Sequence, residues 1–465
     1  MKELASALSL YGDKVLAVDD FGSVLTYTQA SQAAQKWRAM LGEGKKLVLL
    51  LCRNTCPALE AYIGLVSAGY ATMLIGADTA YQALEDIKQR YLPDVIIIPD
   101  DNRLSVEVTD VPSEMPVHPD VAVLLSTSGS TGTPKFAQFS HSALYANAEA
   151  IKTYLALTSQ EHPMVHLPMH YSYGMSVINS HILAGATLIL SEKSVMEPGF
   201  WARMNQENAT SLSGVPFHYE ILLRLGVDRK APASLRTLTQ AGGRLAPQHV
   251  TRVAELAQSK GWQFFVMYGQ TEAGPRISYV PPEHIVEKPG TIGRPIPNVQ
   301  IELRDDTGSE ITATNEEGEM VVHSPSIMMG YAQNRSDLNN GDTLKGRLVT
   351  GDLAKRDEEG YLTITGRKSR FIKLQGNRIS LEDVERRLDE AGHKVVCVGE
   401  DDRLYVALEG ALETEGTRNA IGILFQFPIR YVKVVSVAQY PRTSSGKLMY
   451  KRLYEMISEQ ISLAR

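Results

Sequence analysis

The chain is short of three things, and each shortage excludes something. It has three cysteines, Cys52, Cys56 and Cys397, in 465 residues. An odd, sparse set builds no disulfide framework. Cys52 and Cys56 border the apolar run 47–51 and read as buried structural thiols, and no Cys/His spacing suits a metal. There is no excess of positive charge: 47 Lys and Arg against 53 Asp and Glu leave a net −6. That balance argues against nucleic acid or an anionic membrane as partner, and a polyanionic substrate would need local cations. Finally, no hydrophobic run is long. The most apolar stretch, 62–76, is too short and too interrupted by glycine to span a bilayer, and the opening MKELASALSLYGDK lacks a signal-peptide core. A cytoplasmic location is the expectation.

What is present is alternation, in a chain too long for one ordinary core. The spacing predicts helices over 31–41 and 58–68, and strands over 46–52, 70–75 and 95–98. The pattern returns with strands at 186–190, 211–215 and 264–267. Strand and helix in alternation imply an α/β fold of mostly parallel sheets flanked by helices. After about residue 290, short strands at 299–303, 319–323 and 361–365 lie between Gly/Asp/Asn turns, as in a β-rich subdomain. A boundary falls near 367–370. Beyond it, Ser380 is placed as N-cap of a helix over 381–388, with Asp383 in the capping-box position. Strands near 395–398, 404–408 and 431–437 complete a small α+β unit. No internal repeat or low-complexity segment occurs.

The most informative stretch is 121–141, VAVLLSTSGSTGTPKFAQFSH. An apolar strand runs straight into small and hydroxylated residues. Such a loop lets backbone N–H groups approach an anion. Ser126, Thr127, Ser130 and Thr131 add hydroxyls, and Lys135 adds a charge. The Walker A spacing is absent. A flexible surface loop is the alternative reading; the strand before and the lysine after favour a phosphate cradle.

With these residues the sequence resembles the adenylate-forming superfamily: acyl- and aryl-CoA ligases, firefly luciferase and peptide-synthetase adenylation domains. Further motifs follow in the same order. They are Ala241-Gly242-Gly243, Tyr268-Gly269-Gln270-Thr271-Glu272, Thr350-Gly351-Asp352, Gly366-Arg367 with Ile372-Lys373, and Pro441-Arg442-Thr443-Ser444-Ser445-Gly446-Lys447. Five motifs in register cover nearly the whole chain. The resemblance implies a carboxylic acid–thiol ligase that forms acyl-AMP and pyrophosphate from ATP with Mg²⁺. The acyl group then passes to CoA or to the phosphopantetheine of a separate carrier protein. It further implies that the loop of Ser126, Thr127, Ser128, Gly129, Ser130, Thr131, Gly132 and Lys135 wraps the outer phosphates. Gly242, Gly243, Arg244 and Gly269 line the nucleotide. Tyr268 stacks on adenine, Thr271 meets the α-phosphate and Glu272 ligates Mg²⁺. Asp352 and Arg367 hold the ribose, and Lys447 bridges carboxylate and α-phosphate. Residues 1–368 would form the large N-terminal domain and 369–465 a small mobile C-terminal domain. Lys373 and Lys447 serve different half-reactions there, so a hinge must bring each in turn. The hinge position, usually Asp or Lys, is Ser369.

For the acid, the stretch 167–177 supplies His170, Tyr171, Ser172, Tyr173 and Met175, and His218 lies further on. In the peptide-synthetase relatives an Asp stands where Ser172 is. A hydroxyl cannot replace that carboxylate against an α-ammonium group, so α-amino acids are disfavoured and an uncharged aliphatic, hydroxylated or aromatic acid fits the lining. Tyr171 occupies the place of a gating His in many ligases. Other readings are an acyl-AMP ligase serving only a carrier protein or an amine, a generic ATPase, and a non-catalytic nucleotide-binding regulator. The last should have lost Glu272, Asp352 or Lys447, and all three are present.

Overall fold

The structure is a computed structural model describing residues 7–100, 103–109, 115–127, 135–368, 370–374, 377–410, 414–425, 431–443 and 448–463. The chain divides into two compact units. The larger holds most of the sequence up to Leu348, and the second takes Glu302–Val321 and everything from Val349 on.

The larger unit is built on two sheets. In one, seven strands run in the order Gly330–Ala332, Lys135–Ser140, Val121–Thr127, Ala71–Gly76, Leu47–Cys52, Val95–Asp100 and Arg103–Val108. Its four central strands are parallel and its edges antiparallel. Leu47–Cys52 is buried at all six positions, which is why it reads as an unbroken apolar run: both faces of a parallel sheet are covered. The other sheet has nine strands, with Ser211–Gly214, Thr237–Gln240 and Gln263–Tyr268 parallel at its heart and Ser278–Val280 antiparallel beside them.

Local chemistry sets the helices. Tyr27–Leu41 starts four residues before the expected position, because Thr26 and Gln29 form a capping box. Cys56–Ala68 opens with Thr55 as cap and Pro57 in its first turn, and ends on left-handed Gly69. Thus the apolar stretch 62–76 is the end of one buried helix and one buried strand. All three cysteines are buried and free, with thiol pKa values pushed up by burial. Among the described residues no helix is long and apolar enough to cross a membrane.

The second unit contains a two-stranded ribbon, Phe371–Leu374 with Asn377–Ser380, and a three-stranded sheet of Val396–Glu400, Arg403–Glu409 and Val432–Val437. Leu381–Glu390, Thr414–Phe425 and Tyr450–Leu463 are its helices. Ser380 caps the first of them, accepting from the Asp383 N–H at 3.3 Å. The Asp383 carboxylate is paired with Arg386.

One ion pair pins the seven-stranded sheet. Arg335, 5% exposed, meets both oxygens of Asp94 at 3.1 and 3.2 Å and donates to the carbonyls of Leu92 and Met115. Asp94 also accepts from the Leu47 N–H at 2.6 Å. Arg335→Met would leave that carboxylate without its cation. It should lower unfolding free energy by about 3 kcal/mol, read as a shift in the urea midpoint; a shift equivalent to less than about 1 kcal/mol would refute this role.

Candidate active site

The candidate residues of the larger unit gather at the carboxyl ends of its parallel strands, where α/β sheets bind ligands. Val121–Thr127 delivers Ser126 and Thr127. The Thr127 hydroxyl donates to the Lys135 carbonyl at 3.2 Å across the antiparallel pair. Ser128, Gly129, Ser130, Thr131 and Gly132 lie outside the described residues. The chain returns at Lys135, whose ammonium sits 3.6 Å from the centre of the Tyr331 ring. The Tyr331 hydroxyl donates to Glu272 Oε1 at 2.6 Å. One phenol that the motifs did not mark thus engages both, Lys135 at its ring and Glu272 at its hydroxyl.

Gln263–Tyr268 leads into the second cluster. Residues 268–277 form a tight turn closed by the Ile277 N–H on the Tyr268 carbonyl at 2.9 Å. A Cβ on Gly269 would lie 1.5 Å from the Pro275 carbonyl oxygen, so only glycine fits there. Gly274 is left-handed, with φ 76°. Thr271–Ala273 is a short 3₁₀ turn. It places the Thr271 hydroxyl 2.9 Å from Ser172 Oγ, at the start of the helix Ser172–Ala184. The side-chain amide of Gln270 donates to Tyr268 Oη at 3.2 Å.

Gly242 is also left-handed, and a Cβ there would meet Tyr171 Oη at 2.5 Å. Gln240 donates to the Gly243 carbonyl at 2.9 Å, fixing that turn, while Arg244 is exposed. Burial pushes the Tyr171 phenol up to about 12 and lowers the His170 imidazole, so both are neutral at pH 7. His170 lies against Gly76. Tyr173 is buried and donates to Thr239. Met175 is part of the main hydrophobic core. His218 faces His166 at 3.4 Å between ring nitrogens.

Of the remaining candidates, Asp352 and Arg367 are cross-strand neighbours in the second unit and pair at 2.7 Å. Lys373 is on the ribbon strand Phe371–Leu374. Ser369 and Lys447 lie outside the described residues.

Glu272 suits a hard cation. Tyr331 engages one of its two carboxylate oxygens, which leaves acceptor capacity for a metal. No group of three or more potential metal-binding His, Cys, Asp or Glu side chains occurs among the described residues. The Glu272 carboxylate is a donor of the kind Mg²⁺ takes, one or two carboxylates with the rest of the shell from phosphate and water oxygens.

Residues 4–332 match the family described as AMP-binding enzyme. Among curated relatives, the chain is 30% identical over 264 residues to 2-succinylbenzoate–CoA ligase of Bacillus subtilis, covering 57% of this chain and 52% of that one. The chain thus spans about half the length of that relative. It is 28% identical over 445 residues to oxalate–CoA ligase of Arabidopsis thaliana, covering 90% and 80%. Among solved structures, o-succinylbenzoate CoA synthetase from Bacillus subtilis with its acyl-adenylate intermediate superposes with a TM-score of 0.79 over 97% of each chain at 21% identity. That last likeness is one of fold.

His181, on the same helix as Ser172, gives the unit a pH dependence. Its Nδ1–H donates to the Val177 carbonyl at 2.8 Å, and burial pushes its pKa down to about 4 from 6.5. The unfolded chain takes up a proton below about pH 6.5 that the folded chain refuses until about pH 4. Stability is therefore present above 6.5 and lost as pH falls toward 4. From pH 7 to 5 this histidine should cost on the order of 1–2 kcal/mol. Urea unfolding of His181→Asn should show a correspondingly flatter acid limb; an unchanged limb would contradict the assignment.

Proposed function

The chain belongs to the AMP-binding enzyme family, and from that premise we propose that it is an ATP-dependent carboxylic acid–thiol ligase. A carboxylate oxygen attacks the α-phosphorus of ATP, the bond to the leaving pyrophosphate breaks, and acyl-AMP forms. A thiol of CoA, or of a carrier protein's phosphopantetheine, then attacks the acyl carbonyl and AMP departs.

The observation that carries this reading is the 2.9 Å contact between Thr271 and Ser172. It sets the residue proposed to meet the α-phosphate directly against Ser172, a residue of the proposed acid pocket at the start of its helix. Two anions must meet there, and the barrier falls only where charge is neutralised as it develops. In this proposal Lys135 and the loop before it hold the outer phosphates. Glu272 holds Mg²⁺, which neutralises phosphate charge when bound. Tyr268 stacks on adenine between the Gly242–Gly243 turn and Gly269, with Arg244 at the rim. Asp352 accepts from the ribose hydroxyls, beside Arg367. His170, Tyr171, Tyr173, Met175 and His218 surround the acid. The C-terminal domain, from residue 369 on, pivots at Ser369 to present Lys447 for adenylation and Lys373 for thioester formation.

With Mg-ATP, the protein should release AMP and pyrophosphate only when a carboxylic acid is supplied; ADP formed without acid would refute the reading. Lys447→Ala should lower acid-dependent pyrophosphate release by at least about a hundredfold, as loss of a charge acting in the transition state does. Thioester formation from supplied acyl-adenylate should survive. Equal loss of both half-reactions would overturn the division of labour between the lysines.

A further inference from the structure

Arg276 is a buried cation whose contacts among the described residues include no anion. It is 2% exposed and ends the turn that carries Thr271. Its Nη1 donates to Tyr154 Oη at 3.1 Å and to Met267 Sδ at 2.9 Å, and Nη2 donates to Ser176 Oγ at 3.0 Å. The guanidinium lies 4.4 Å from the centre of the Tyr173 ring. The Nε–H is buried with no acceptor. These partners are hydroxyls, a thioether and a ring face.

The two phenols do not supply the missing charge. Burial pushes Tyr154 up to about 12 and raises Tyr173, in spite of the guanidinium beside both. Nor does Glu161, which lies close enough to act on His181. Its carboxylate is engaged by Arg236 at 2.9 Å and Thr210 at 2.7 Å. A guanidinium keeps its proton in any protein setting, and a buried charge without a counter-charge is costly enough that folds rarely keep one without use. The small cavity that Arg276 lines mixes hydroxyls, Ser180, Ser213 and Thr239 among them, with the aliphatic side chains of Ile151, Leu155 and Val177.

Geometry ties this cation to the acid site. Ser172 and Ser176 are four residues apart in one helix and so share a face. Ser172 meets Thr271, and Ser176 meets Arg276. One helical turn, about 6 Å, separates the two contacts. That is the scale of the gap between the two carboxylates of a short diacid.

We infer that Arg276 is the specificity-determining residue of the acid pocket, receiving a second carboxylate at the far end of the substrate. The open Nε–H and the neighbouring Nη2 form the edge that binds a carboxylate through two parallel hydrogen bonds. The substrate is then a short dicarboxylic acid rather than the uncharged acid that the aromatic lining alone suggests. This inference rests on the acid–thiol ligase reading.

The test is acid-dependent pyrophosphate release, with Mg-ATP and CoA, over matched pairs: succinate and butyrate, glutarate and valerate, adipate and hexanoate, homophthalate and phenylacetate. For at least one pair, wild-type kcat/KM should favour the diacid by about a hundredfold or more, as when a site built to bind a polar group meets an analogue lacking it. Arg276→Met should abolish that preference and raise turnover of the matched monoacid. Arg276→Lys should keep the preference with a higher KM. A purely structural arginine would scale both members of a pair alike. Wild-type turnover of monoacids as good as that of diacids, or a Met variant with an unchanged ratio, overturns the inference while leaving the ligase reading intact. No release with any acid sinks the ligase reading itself. Should the Met variant fail to fold, the wild-type panel and the Lys variant still decide.

Discussion

The hydrogen bond from the Ile277 N–H to the Tyr268 carbonyl is the constraint on which the site depends. It closes a turn in which Gly269 is pressed against the Pro275 carbonyl and Gly274 is left-handed. The turn is clamped from outside as well. The Met328 N–H donates to the Glu272 carbonyl at 2.9 Å, and Ser326 Oγ donates to the Ala273 carbonyl at 3.1 Å. Because those clamps come from the segment leading to the edge strand Gly330–Ala332, the turn links the two large sheets. Tyr268, Thr271, Glu272 and Arg276 thus fan out from one rigid piece of backbone. Functional groups held this way sit on scaffold rather than on a free loop, which is what positioning to within a fraction of an ångström requires.

The same arrangement bears on how an acidic protein would handle the acidic substrates proposed for it. With a net charge of −6, nothing in the overall field draws in a triphosphate or a carboxylate. Positive charge is instead delivered at points: Lys135 over the Tyr331 ring and Arg276 beneath the pocket helix. Arg276 is buried, and a point charge in a dry interior acts more strongly than one in water. It also discriminates, because an ill-matched ligand leaves it unpaired. The cost of a buried guanidinium without a counter-charge and the selectivity proposed for it are two views of one feature.

Much of this was legible in the sequence, for physical reasons that also mark where legibility stops. Leu47–Cys52 announces itself because a strand covered on both faces must be apolar throughout. The proposed phosphate loop and residues 268–272 stand out because each is contiguous, and their resemblance to a family pattern supplies the roles proposed for them. Sheet order is another matter. Gly330–Ala332 joins Lys135–Ser140 across nearly two hundred residues, and three residues of strand carry no period to read. The helix from Tyr27 was expected to start later, because its capping-box turn precedes the apolar period. Tyr331, Tyr154 and Ser176 reach the site by tertiary placement, and their residue types are ordinary. Arg276 had one local signal: a charged residue at the head of an Ile-Ser-Tyr-Val strand, where burial would be expected. Without the fold there was no way to see that its neighbours among the described residues include no carboxylate.

The central claim is that one turn, 268–277, joins nucleotide site to acid pocket. The most direct measurement is a crystal structure with a non-hydrolysable acyl-adenylate, in which a sulfamate replaces the phosphate and the acyl part carries a distal carboxylate. The account expects adenine against Tyr268, the sulfamate within hydrogen-bonding reach of Thr271, and the distal carboxylate on Arg276. An analogue bound elsewhere, with this turn touching only solvent, would contradict it.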